Sequence, residues 1–233
     1  MPKQKRKVKF DHDDTEDQEA VVVARVPTII HKWATIPYHL PLILVGMFKF
    51  GLTSHVKQTL VKGYISLICL QAVHSYILYI NTVDFPDSSS GKKHRKKNKD
   101  NLVLLIASSL VLPVLMSPAV LAILVLLGAP VSSHVIETYL LAAHLSTVVA
   151  TPLLVTFKLN FANFVSVFKS PDLFCVVCHH QTLSSGLLAL VGTWIGVLPI
   201  PLDWDRPWQA WPVTLVVGTY IGFFGGSVIN LAL

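Results

Sequence analysis

The stretch LVLLIASSLVLPVLMSPAVLAILVLLG, residues 102–128, decides the fold class. It holds 27 residues without one charged side chain. At a rise of about 1.5 Å per residue such a run reaches roughly 40 Å, beyond the roughly 30 Å hydrocarbon core of a bilayer. Pro113 and Pro118 interrupt it, which predicts a kink or strong tilt. A soluble domain has no use for a segment of this kind. The rest of the chain agrees: 52% of the 233 residues are hydrophobic and 14% charged, against roughly 25% charged in an average soluble domain. The mean hydropathy is +0.58. A soluble enzyme, a disordered chain and a secreted disulfide scaffold are excluded, the last because Cys69, Cys175 and Cys178 are odd in number and unhelpfully spaced.

Working outward, hydropathy predicts an all-α polytopic membrane protein with six spans: 36–52, 60–80, 102–128, 135–157, 183–200 and 213–233. The first is short, carrying Pro37, His39, Pro41 and Lys49. Residues 1–35 read as a charged, largely disordered tail: Lys3, Lys5, Arg6, Lys7 and Lys9 precede a run of carboxylates from Asp11 to Glu19. A basic run of this sort also suits nucleic acid, but beside a membrane domain it serves to hold the tail in the cytosol, and no nucleic-acid partner is expected. A second basic cluster, Lys92, Lys93, Arg95, Lys96, Lys97 and Lys99, fills the loop 86–100. Two crossings between tail and loop put both on one side. With both termini cytosolic, fifteen of the nineteen lysines and arginines lie inside, as the excess of basic residues in cytoplasmic loops requires.

Chemistry-bearing groups are few. Cys175-Val-Val-Cys178-His179 has the spelling of a haem attachment site, and with His180 it could supply four zinc ligands. It lacks a second cysteine pair and falls in a cytosolic loop, so reduced structural thiols are the favoured reading, with no metal and no cofactor. Phe157, Phe161, Phe164 and Phe168 make one face of a helix that should prolong the fourth span along the interface to Pro171. Glu137 is the lone acidic residue within a predicted span, and His134 and His144 share its helical face. A carboxylate with histidines there can hydrogen-bond helices or a partner, or relay protons in a lipid or proton transporter. No nucleophile or nucleotide loop accompanies them. Gln71 and His74 are read as bridging helices.

The last third is the most specific. Gly192 and Gly196 form one GxxxG pair; Gly218, Gly222 and Gly226 form two more. Such stripes let helix backbones approach closely, so the last two spans should pair. Between them runs PIPLDWDRPWQAWP, residues 199–212. Trp204, Trp208 and Trp211 should anchor this loop at the interface, four prolines stiffen it, and Arg206 can pair with Asp203 or Asp205. The aspartates can alternatively hold a metal or an ammonium headgroup; a rigid docking surface for a partner or a lipid headgroup is favoured.

This run, after Gly192-Thr-Trp-Ile-Gly196, closely resembles the signature of the PIG-F family of glycosylphosphatidylinositol (GPI) anchor biosynthesis, and Gly128-Ala-Pro130 with Glu137-Thr138 and His144 is similar to its fungal branch. The resemblance implies a multi-pass protein of the endoplasmic reticulum membrane that partners a large GPI ethanolamine phosphate transferase. It further implies a non-catalytic, stabilising role while phosphoethanolamine is added to mannoses of the GPI precursor. Phosphatidylethanolamine is the implied donor, and the catalytic centre belongs to the partner.

Overall fold

The computed structural model describes residues 26–83, 102–130, 132–202 and 204–232. Residues 1–25, the lysine loop 86–100 and Asp203 lie outside the described residues. Among the described residues eight helices carry the fold: α1 (His39–Lys49), α2 (Val56–Asn81), α3 (Leu102–Leu126), α4 (Val135–Thr156), α5 (Phe161–Phe168), α6 (Leu173–His179), α7 (Gln181–Ile195) and α8 (Val213–Ala232). Strands β1 (Thr28–Ile29) and β2 (Thr82–Val83) pair antiparallel, with Thr28 opposite Val83. Residues 26–35, which the sequence assigns to the tail, therefore belong to the fold. Thr35 is buried and donates its hydroxyl to Gln181 Oε1 at 2.6 Å. The β1–β2 pair also brings the start of the described chain level with the end of α2, which defines a tail pole. The turns at 50–55 and 127–134 and the loop 199–212 gather at the opposite end, the loop pole.

Among the described residues four helices, α2, α3, α4 and α8, are long and apolar enough to cross a membrane. The chain nevertheless passes between the poles six times; the first expected span is short, as its sequence suggests, and the fifth is shorter than expected and bent. The first passage is a series of turns followed by the 11 residues of α1, about 16 Å of helix. The fifth is the 15 residues of α7, about 22 Å, continued by turns to Leu202 and preceded by α6 at an angle of 96°. Pro37 and the turns around it keep α1 from starting earlier, and Gly51 stops it. Gly51 takes a left-handed φ of 93°, which lets the Leu52 N–H reach back to the Met47 carbonyl at 2.9 Å.

The long helix α3 runs unbroken through both prolines. Pro118 has no N–H for the Val114 carbonyl, and the Ser117 hydroxyl donates to it instead, at 2.7 Å. Helix α4 is the hub, packed against α2, α3, α7 and α8, and its small residues Ala142, Ala143, Ser146 and Thr147 are buried. The main core lies around it, from Leu40 and Met47 through Leu60, Leu67, Leu141 and Val148 to Val216 and Phe223. Leu115, Ile123 and Leu126 on α3, and Ile221 and Ile229 on α8, point outward, the arrangement expected of lipid-facing surface.

The expected aromatic extension of α4 is also corrected. Helix α4 closes at Thr156, and Lys158 and Leu159 adopt φ of 48° and 59°. The left-handed backbone there costs an L-residue roughly 1–2 kcal/mol. Asn160 then caps a separate α5, its side chain accepting the Asn163 N–H at 3.2 Å. Phe157 and Phe164 still meet edge to face, with ring centroids 5.4 Å apart, but Phe161 and Phe168 are exposed.

Candidate functional site: the Trp/Pro loop and the helix pair beneath it

The glycines of α7 and α8 form one antiparallel seam. A Cβ built on Gly192 would collide with the carbonyl of Gly218, one on Gly222 with the carbonyl of Leu188, and one on Gly226 would lie 2.6 Å from the Cα of Ser185. Gly196 is closed against Thr214 and Leu215 in the same way. Backbone lies against backbone here, which only residues without side chains allow. Hydroxyl pairs reinforce the seam: Ser185 with Ser227 and Thr193 with Thr219, each at 2.8 Å.

At the loop pole this pair carries residues 199–212. Gln209 is the knot of the loop. Its amide nitrogen donates to the carbonyls of Pro199 and Leu202, each at 2.8 Å, while its Oε1 accepts the Arg206 N–H at 2.8 Å. A short 3-10 turn spans Pro207–Gln209. Trp204 and Trp208 lean on each other with ring centroids 5.8 Å apart. Trp211 differs from the expected interface anchor. It turns inward and its indole N–H donates to Thr138 Oγ1 at 3.0 Å. Thr138 is fully buried and donates its single hydroxyl hydrogen to the His134 carbonyl at 2.7 Å. The sequence marked Trp211 and the 128–138 segment separately; the hydrogen bond between them is visible only in three dimensions. Gly128 shapes that segment: with a φ of 103° it lets the Ala129 N–H bond the Leu124 carbonyl at 2.9 Å.

The expected pairing of Arg206 with Asp205 is not formed. Both side chains are exposed, and among the described residues they make no ion pair with each other. Asp205 sits at a φ of 43°, a conformation that Asp tolerates better than most.

Glu137 and His144 are not brought together. Glu137 is half-buried in the first turn of α4, where a carboxylate favours the helix N-terminus. His144, two turns further, is fully buried in the core. Its Nε2 lies 3.1 Å from the Leu60 carbonyl, an acceptor only, so Nε2–H donates. Nδ1 of the neutral ring then accepts the Tyr220 hydroxyl at 2.7 Å. Gly63, on the neighbouring turn of α2, leaves room for Met47, whose Sδ a Cβ there would strike. Tyr220 is the partner of His144 that sequence reading missed. Its place two residues after Gly218 held the only clue, since it faces away from the seam towards α4.

Gln71 and His74 do bridge elements. His39 Nε2 donates to Gln71 Oε1 at 2.8 Å and His74 Nε2 to the Thr35 carbonyl at 2.9 Å. The cysteine motif does not converge. Cys175 approaches His179 along α6, with Sγ 3.5 Å from Nδ1, whereas His180 turns away to donate to the Pro27 carbonyl at 3.0 Å. Among the described residues no three His, Cys, Asp or Glu side chains are grouped as metal ligands would be.

The model of the GPI biosynthesis protein family Pig-F matches residues 35–231. The chain belongs to that family. Among its relatives is glycosylphosphatidylinositol anchor biosynthesis protein 11 of Debaryomyces hansenii, 38% identical over 227 residues, covering 96% of this chain and 94% of the relative. The Candida albicans protein of the same name is 38% identical over 229 residues, covering 94% and 86%. A human protein named GPI ethanolamine phosphate transferase, stabilizing subunit, is 37% identical over 108 residues, 46% of this chain and 49% of that one. No solved structure matches. The Pig-F match takes in both the seam and the Trp/Pro loop, the two features that the sequence marked most sharply.

Proposed function

We propose that this Pig-F family chain is a non-catalytic, stabilising subunit of a GPI ethanolamine phosphate transferase in the endoplasmic reticulum membrane. The observation that carries the reading is the family match over residues 35–231 together with the human relative's name. The geometry supports it, because both nitrogens of His144 and the hydroxyl of Thr138 are engaged internally, in holding helices. The catalytic centre belongs to the transferase. Its lipid substrates, phosphatidylethanolamine and the GPI precursor, meet the complex at the loop pole.

The β1–β2 pair supports a sidedness for this reading. Tail and lysine loop join the described fold at one pole, and their basic residues hold that pole in the cytosol. The Trp/Pro loop is then luminal. In sealed microsomes a cysteine at Ser89 should label from outside and one at Gln209 should be protected; labelling of both would remove this orientation. The function is tested by depleting the chain. Transferase abundance should fall, and precursors lacking phosphoethanolamine should accumulate. Phosphoethanolamine transfer by the purified chain alone in vesicles would overturn the reading.

A further inference from the structure

The first passage is helical through only about half the depth of a hydrocarbon core, and side-chain contacts fix the depth at which its helix breaks. At the tail pole two ammonium groups mark the headgroup level. Lys32 Nζ donates to the Asn230 carbonyl of α8 at 3.1 Å, and Lys158 Nζ stands 5.6 Å from the centre of the Tyr79 ring of α2. The Tyr38 ring meets Phe224, with centroids 6.3 Å apart, six residues along α8 from Asn230 towards the loop pole. That is about 9 Å at the helical rise. The next residue, His39, donates to Gln71, eight residues from Tyr79 on α2, or about 12 Å. Both rulers place Tyr38 about 10 Å below the lysines. The headgroup region of a flat bilayer is roughly 5–7 Å deep on each side, so hydrocarbon would surround the ring there.

The residues at this depth do not suit hydrocarbon. Residues 30–38 form turns and bends rather than helix, and irregular backbone at membrane depth is tolerated only where protein buries it or water reaches it. Thr35, Ile36 and Pro37 make up the buried side, while Trp33 and Tyr38 are exposed. Each of these two carries a hydrogen-bond donor on an apolar ring. On α2 the same level is occupied differently. Val73 lies in unbroken helix, presents only methyl groups and is 57% exposed, against 58% for Tyr38.

We propose that the tail-pole leaflet is dimpled along the first passage, so that lipid headgroups and water sit against Trp33, Tyr38 and His39, as much as about 10 Å below the surrounding headgroup level. Headgroups fit these residues better than a partner helix does. The carbonyls of a helix are spent on its own ladder, whereas phosphate and ester oxygens and water accept from an indole N–H or a phenol hydroxyl at any register. The dimple also accounts for a polar cluster set deep in the fold. His39 is half-buried, and its ring centre lies 5.0 Å from that of His74. His74 donates from Nε2 to the Thr35 carbonyl, and its Nδ1 is buried with no hydrogen-bond partner among the described residues. A water admitted past His39 supplies the missing donor.

Spin labels read the dimple directly. The full chain carrying Cys69→Ser, Cys175→Ser and Cys178→Ser receives one new thiol at a time through Tyr38→Cys, Val73→Cys or Leu42→Cys, all at exposed positions. Each labelled chain is reconstituted in phosphatidylcholine vesicles. Collisions are measured with oxygen, which concentrates in hydrocarbon, and with a water-soluble nickel chelate. Labels at Val73 and Leu42 should favour oxygen, and the label at Tyr38 should meet nickel several-fold more often than the label at Val73. Equal, oxygen-dominated readings at Tyr38 and Val73 overturn the proposal. So does a Tyr38 label shielded from both agents, in vesicles or after co-purification with the transferase, since that makes the face a seat for a second copy or a partner helix.

The unaltered chain gives a second reading that needs no variant to fold. A thinner leaflet bends less to reach Tyr38, so the thermal midpoint should be highest in phosphatidylcholine with chains of about 14–16 carbons. A maximum at about 18 carbons or longer overturns the dimple.

Discussion

Helices α7 and α8 and helices α3 and α4 are both antiparallel apolar pairs, but they are held in different ways. In the first pair glycine faces backbone along the whole seam and two hydroxyl pairs cross it. In the second, branched and linear aliphatic side chains pack with one crossing hydrogen bond, Ser117 to the Tyr139 hydroxyl at 3.1 Å. Lipid tails are as apolar as leucine, so burying leucine between helices gains little in a membrane. Close backbone packing and interhelical hydrogen bonds supply what hydrophobic burial supplies in water. The glycine pair is therefore the more closely packed of the two, and it carries the Trp/Pro loop.

The largest expected effect separates the two pairs directly. Gly222→Leu drives a side chain into the Leu188 carbonyl and the Ala189 backbone, neither of which can yield as a flexible side chain would. It should cost on the order of 3 kcal/mol. Monodisperse protein should be largely lost on fluorescence-detected size exclusion. Leu115→Ala, on the exposed face of α3, should stay within about 0.5 kcal/mol. Equal behaviour of the two variants would remove the distinction.

His144→Phe comes next, because it joins the α8 side of the seam to α4 and α2. Losing the ring nitrogens leaves the buried Tyr220 hydroxyl without its acceptor, a penalty of about 1–3 kcal/mol. The thermal midpoint should drop, and Tyr220→Phe added to His144→Phe should restore part of the loss. Additive losses would instead show that the two groups do not act on each other.

A smaller effect tests how the loop is tied down. Trp211→Phe removes the indole N–H and should cost about 1 kcal/mol, and Thr138→Val should cost less in that background than in the wild type, since both changes remove the indole–Thr138 bond. Limited proteolysis should then cut the loop sooner. The smallest is Thr193→Val, which deletes one hydroxyl pair across the seam. It should cost about 0.6 kcal/mol, typical of interhelical hydrogen bonds in membranes. A much larger loss would mean that hydroxyl pairing outweighs backbone approach in holding α7 to α8.

What the sequence determined by itself was whatever depends on composition and local period. Long uncharged runs had to be membrane helices, because a bilayer offers no other way to satisfy a lipid-exposed backbone short of a closed barrel. Glycines at fourfold spacing had to mark close approach, since the stripe is a property of one helix and needs no partner to be seen. The prolines and Gln209 of 199–212 lie close enough in the chain for a stiff loop to be legible too.

Tertiary structure decided the rest, for reasons of geometry across the chain. A hydropathy window cannot tell α1, a short helix preceded by turns, from a full span. The turns around Pro37 satisfy their backbone against neighbouring turns, α2 and α7, and the two helices are far away in sequence. The inward turn of Trp211 needed Thr138, and the burial of His144 needed the Leu60 carbonyl and Tyr220 to arrive from two other helices. Arg206 and Asp205 stayed apart because the backbone of the loop is set by Gln209 rather than by their attraction, which solvent at the exposed loop weakens.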